Sequence, residues 1–274
     1  MSLRTARIVT LLACSSFAFA AVGCATIPKG QYGVDDIEWI GMKDLSHEAL
    51  EACLVTRKRE ATEVRLGIST PTCGQPPFDS NPPSFDLWTL PWTDWPIYDP
   101  AIFEVERERI ERWYQARGYY QAHVIDVQTF VDGKPVDPNE CHGSGSQCEL
   151  KLVVKLEEGK PTFVKEVEIQ SDPPLPAAVM KKLNKALELR QGERFDESSY
   201  EADKTELKKR VINASYARAD VSGKVIIDRE HRSARVIYKI VPGPSCVFGS
   251  VRVAGAPSDV PIKLIIQTAD IAAG

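Results

Sequence analysis

Cysteine and histidine are the side chains of this 274-residue sequence whose chemistry is easiest to place. The four histidines, His47, His123, His142 and His231, lack the spacing that gathers ligands on a metal. None lies beside a plausible nucleophile that it would activate. His142 adjoins Cys141, and with Cys148 this makes three ligands at most, one short of a structural zinc site. Cys141 and Cys148 also bracket the polar turn HGSGSQ, a short loop that a disulfide can pin. That pairing is expected, and Cys53 with Cys73 is the next candidate pair. Carboxylates are abundant, yet no pair stands out from surface charge. Glycine-rich phosphate loops are absent from the sequence, and ELKKR at 206–210 reads as the solvated face of a helix. No catalytic set, metal site or cofactor is expected, so an enzyme is not.

Disulfides need an oxidising compartment, and the N-terminus supplies the route to one. Arg4 and Arg7 precede an apolar run at 8–22 that is shorter than the roughly 20 residues of a membrane span. Residues 1–23 therefore read as a signal peptide. Two processing sites compete. AVGC (residues 21–24) has the form of a lipobox that would place a lipid on Cys24, whereas AFA (18–20) fits ordinary signal-peptidase cleavage. If Cys24 carries lipid, Cys246 is left without a partner; if not, six cysteines remain to pair. The composition, 43% hydrophobic with a net charge of -4, carries none of the basic surplus of a nucleic-acid binder.

The elements that hold these residues are written more than once. A shift of 97 residues places Asp99 on Asp196, Phe103 on Tyr200, Ile110 on Leu207 and Tyr119 on Tyr216. Each copy opens with an N-cap aspartate, and Pro100 follows the first at the position where proline is favoured. In the first helix Ile102, Val105, Ile110, Trp113 and Tyr114 approximate helical period. Gly118 ends that helix where a left-handed residue costs least. AHVIDVQTF then alternates as a half-buried strand, but with Val124 on one parity and Ile125 and Val127 on the other the inward face stays open. ADVSGKVII is its counterpart. Downstream the shift becomes 84, with Leu156 on Ile240 and Gly159 on Gly243. The lost residues belong to the loop carrying Cys141 and Cys148, and lengthening a hairpin loop is cheap.

Three strand-like segments, VDDIEWIG (34–41), VKEVEIQS (164–171) and FGSVRVAG (248–255), stand at the front of the copies, each followed by a short amphipathic helix. The unit is strand, helix, helix, strand, strand. The division expected is a signal peptide at 1–23, a tether at 24–33, a first unit at 34–160, a second at 161–244 and the start of a third at 245–274. A third unit stopping after its first helix suggests the front part of a longer protein. The first unit carries a proline- and tryptophan-rich insertion at 71–100. Its Trp88, Trp92 and Trp95 read either as a contact surface for a partner or membrane, or as cover for the unit's own core.

That element order, the GYYxAxV junction after the helix at 99–124, GERFDESSYEADKTELKKR at 192–210 and the join EGKPTFVKEVEI resemble the POTRA domains of the BamA/TamA outer-membrane protein assembly family. The resemblance spans about 34–274. It implies an α+β fold of tandem β-α-α-β-β units, each a three-stranded sheet with two helices on one face. It also implies a place at the periplasmic face of the outer membrane, ahead of a β-barrel domain or beside a barrel protein and accessory lipoproteins. Unfolded outer-membrane or exported polypeptides would add as strands to an open sheet edge. The second strand of each unit is the expected edge, at Val124, Ile125 and Val127 and at Val221, Val225 and Ile227. The alternative is an envelope lipoprotein using the same fold as a structural or adhesion scaffold.

Overall fold

The computed structural model describes residues 24–65, 71–80, 84–247, 249, 253–255 and 260–268. The signal peptide, and most of the strand expected at 248–255, lie outside them. The first unit runs β1 (Gly33–Ile40), α1 (His47–Glu51), the hairpin β2 (Thr62–Arg65) and β3 (Ser84–Trp88), α2 (Pro100–Ala116), β4 (His123–Val131), β5 (Lys134–Pro135) and β6 (Glu149–Glu157). The second runs β7 (Phe163–Ser171), α3 (Ala177–Ala186), α4 (Glu197–Asn213), β8 (Asp220–Asp228) and β9 (Ser233–Val241), and α5 (Ile262–Thr268) follows. The insertion is thus wider than 71–100, since its hairpin begins at Thr62.

Both sheets share one plan. The last strand sits in the middle, parallel to the first and antiparallel to the second: β1-β6-β4 with the two-residue β5 outside it, and β7-β9-β8. The repeat reaches to single residues. An extra residue bulges from the first strand at equivalent points, Asp35 between Val34 and Asp36, and Lys165 between Val164 and Glu166. A further bulge, at Ile125, resolves the open parity of β4. The extra residue switches the alternation, so that Val124 is buried, Ile125 is turned to solvent and Val127 packs again on the core.

The caps read from the sequence form. The Asp99 carboxylate accepts from the Ala101 and Ile102 N–H groups at 2.8 and 3.3 Å, and Asp196 accepts from Ser198 N–H at 2.8 Å. The buried stripe of α2 is Phe103, Glu106, Ile110, Trp113 and Tyr114, so the expected inward Ile102 and Val105 are exposed instead. Both lie on the neighbouring face of the helix, one position from the true stripe. In α4 the stripe is Tyr200, Asp203, Leu207 and Val211. Shifted by 97, the two stripes agree at four positions, including an acid in each.

Those acids, Glu106 and Asp203, are almost wholly buried, which corrects the reading of the carboxylates as surface charge. Each anchors the chain preceding its helix. Glu106 accepts from the N–H groups of Val55 and Thr56, and Asp203 from those of Glu188 and Leu189 and from the Tyr238 hydroxyl at 2.8 Å. A third buried acid, Glu158, accepts from Lys43 and Asp44 N–H and from the Tyr114 hydroxyl at 3.0 Å. Groups left over at helix ends and turns need such partners.

Disulfides close Cys53–Cys73 and Cys141–Cys148, leaving Cys24 and Cys246 free. The first bond ties the end of α1 to the segment 71–80. There Phe78 accepts the Ser46 N–H through its carbonyl and lies over the Arg117 guanidinium, which is stacked on Trp113 from another side. Burial lowers the Arg117 pKa to about 10, still charged at neutral pH. Changing Cys53 and Cys73 to serine removes a closure of about 20 residues and is expected to cost about 3 kcal/mol. Urea melts of the oxidised protein and the double variant read this loss; equal midpoints would contradict it.

The join between units is a packed joint. Thr162 N–H donates to Gly118 O and Phe195 N–H to Thr162 O, both at 2.9 Å. Arg112 pairs with Glu197 and Arg194 with Asp79, and Tyr120 of the first unit packs on Phe195 in the second core. The design recurs one unit on: Cys246 N–H donates to Ser215 O at 2.7 Å. Ser215, the counterpart of Gly118, also has a positive φ, +76°.

Candidate functional site

Among the described residues the two unit sheets have four outer edges, and these differ in how much cover they carry. In the first unit Val34 N–H donates to Pro96 O, and Val34 O accepts from Arg59 N–H, covering the start of β1. On the other side β5 pairs with Phe130 and Val131, and Val136 N–H donates to Thr129 O at 3.0 Å. The expected edge at β4 is therefore narrowed to its first half, because the loop that carries Cys141 and Cys148 begins by folding back along the second half.

The second unit is more open. Residues 192–194 cover the start of β7 as 96–97 cover β1. β8 pairs with β9 along all nine residues without a bulge, and among the described residues its other edge has no partner strand. A two-sided view of β8 follows from the register. Val221, Val225 and Ile227 point to the helices and pack on the core, so they hold the strand in place. Ser222, Lys224 and Ile226 occupy the open face. What is free at this edge is backbone, and an extended chain laid beside it would find donors and acceptors at strand spacing. Gly223 completes the local packing: a Cβ there would meet the Tyr200 hydroxyl at 2.6 Å and the Ile237 carbonyl at 2.8 Å. Tyr200 in turn stacks on Tyr238 with centroids 5.4 Å apart, so α4 closes tightly over the middle of β8.

The tryptophans divide. Trp95 is half-buried, with the Arg59 guanidinium 3.9 Å above its ring, while Trp88 and Trp92 are more than half exposed. The histidines stay apart: His47 pairs with Glu51 on α1, His123 begins β4, His142 lies in the disulfide loop and His231 bonds Asp228 in the β8–β9 turn. The Glu51 carboxylate beside it raises the His47 pKa. Among the described residues no group of three or more His, Cys, Asp and Glu side chains has the arrangement of a metal site. None of their helices is long and apolar enough to cross a membrane. The two buried helix acids, Glu106 and Asp203, unrecognised in the sequence, carried one usable signal: each stands between two apolar residues of the same helical stripe.

A family model described as "POTRA: Surface antigen variable number repeat" matches residues 163–243, from the first residue of β7 to just past β9. The second unit is a POTRA domain. The first unit shares its strand order, bulge position and buried helix acid, and so has the POTRA plan with an insertion. No curated protein matches the sequence. Among solved structures, the chain is similar to BamA POTRA3-5 of Haemophilus influenzae at 14% identity, covering 88% of this chain and 78% of that one with a TM-score of 0.38. It is similar to POTRA1-2 of the periplasmic domain of Omp85 from Anabaena at 15% identity, covering 79% and 99% with a TM-score of 0.32. CdiB from Escherichia coli matches at 12% identity over 84% of this chain and 29% of that one, with a TM-score of 0.26.

Proposed function

We propose that this chain is a periplasmic docking module of outer-membrane protein assembly or export, receiving extended polypeptides as a strand added to β8. The observation that carries the reading is the length and openness of that edge: nine residues, bulge-free and unpaired on one side among the described residues. Strand addition draws its affinity from main-chain hydrogen bonds and asks little of client sequence, which suits a protein that meets many clients. The chemistry is recognition alone, without a covalent step or cofactor. The tandem POTRA plan supports reading it as a module at the periplasmic face of the outer membrane, working with a barrel domain, a barrel protein or accessory lipoproteins.

A photoreactive residue at Lys224, on the open face of β8, tests the assignment against one at Lys239 in central β9. Unfolded outer-membrane protein is expected to crosslink strongly from position 224 and weakly from 239. Equal yields, or a stronger yield from 239, would move binding away from the edge.

A further inference from the structure

We propose that the β2–β3 hairpin and the strap after it form a bilayer-seating surface beside the N-terminal Cys24. Among the described side chains, strands β2 and β3 add none to the first unit's buried core, which the segment between them enters only through Phe78; they present Val64, Leu87 and Trp88, with Trp92 from the strap, to solvent, each 45% exposed or more. Large apolar side chains kept in water on a two-stranded ribbon mark a contact surface.

The strap is fixed so that its tryptophans face opposite ways. Arg59 donates to the Thr93 carbonyl through Nε and a terminal nitrogen at 3.2 and 3.0 Å and stacks on Trp95. Trp95 also fits against Gly33, where a Cβ would stand 2.7 Å from its ring. Trp95 is therefore a structural wedge, and Trp88 and Trp92 are what remains outside.

The occupant is identified by what lies next to them. Ala25 N–H donates to Pro91 O at 2.9 Å, so the exposed Cys24 immediately precedes a residue held on the strap beside Trp92. The apolar run at 8–22 leads directly into this point. The membrane-directed end of the chain and its exposed tryptophans thus share one corner of the molecule. Indole is the side chain that settles at the headgroup level of a bilayer, with its ring in the apolar margin and its N–H in the wet layer. A lipid on Cys24 would bring the corner to the surface, and the indoles would orient the unit upon it. The corner belongs to the first unit, so the inference does not rest on β8.

Exported, processed protein and its Cys24→Ser variant are mixed with phosphatidylethanolamine–phosphatidylglycerol vesicles whose acyl chains carry bromine as a quencher. Tryptophan emission is expected to be quenched in both proteins. A Trp88→Ala/Trp92→Ala variant should lose the quenched component and, on the Cys24→Ser background, partition about ten-fold less. Its melting temperature should be unchanged, whereas Trp95→Ala should melt lower and partition as before. Unquenched emission from vesicle-mixed protein, or undiminished partition of the double variant, would overturn the proposal and leave the tryptophans to a protein partner.

Discussion

Asp203→Ala is expected to unfold the second unit or leave it barely folded. The carboxylate accepts three hydrogen bonds in a fully packed site, from Glu188 N–H at 2.6 Å, from Leu189 N–H at 3.2 Å and from the Tyr238 hydroxyl at 2.8 Å. Alanine leaves two backbone donors and one hydroxyl buried without an acceptor. Each such group costs about 1–3 kcal/mol, so the sum approaches the whole stability of a small domain. Two milder variants separate the contributions. Tyr238→Phe removes one bond and its donor together, and should cost about 1 kcal/mol. Asp203→Asn keeps an acceptor oxygen and should fall between the two. Denaturant melts followed in the second unit read all three; an Asp203→Ala protein as stable as Tyr238→Phe would contradict the assigned role.

Gly118→Val is expected to break the joint between the units while leaving each folded. Gly118 has φ +86°, where a β-branched residue is strained, and a Cβ there would stand 2.6 Å from the Phe195 carbonyl of the second unit. The clash is with backbone, which cannot rotate away. To relieve it the units must separate, losing the Gly118–Thr162 and Thr162–Phe195 hydrogen bonds and the packing of Tyr120 on Phe195. The combined effect is about 2–4 kcal/mol of coupling between the units. Distances between spin labels on α2 and α4 should change from one narrow population to a broad one. A narrow distribution in the variant would show that other contacts set the angle between the units.

Much of this architecture is legible in the chain because the same physical instructions occur twice. Asp99 and Asp196 start their helices by the capping rule, and the 97- and 84-residue shifts carry over into strand order and register. The buried acids were concealed by their chemistry. A carboxylate between Phe103 and Ile110, or between Tyr200 and Leu207, reads as solvent-facing until the backbone donors it serves are known, and those lie on a different segment. The bulge at Ile125 concealed the inward face of β4, since alternation of two parities looks the same as no alternation. Residues 24–33 read as a tether, but pairing of Ala25 with Pro91 and of Gly30 with Cys141 lays them on the first unit. Such long-range backbone pairing leaves no local pattern. The openness of β8 was likewise expected for both second strands, and only the fold-back at β5 sets the two apart.

Amide hydrogen exchange on the full chain, with and without an unfolded outer-membrane polypeptide, tests the central claim most directly. The amides of β8 that point away from β9 should exchange quickly in the free protein, while those of β9 are protected on both sides. Adding the polypeptide should slow the outward amides of Asp220–Asp228 and change β9 little. Protection appearing elsewhere while the β8 amides kept their free rate would contradict the account.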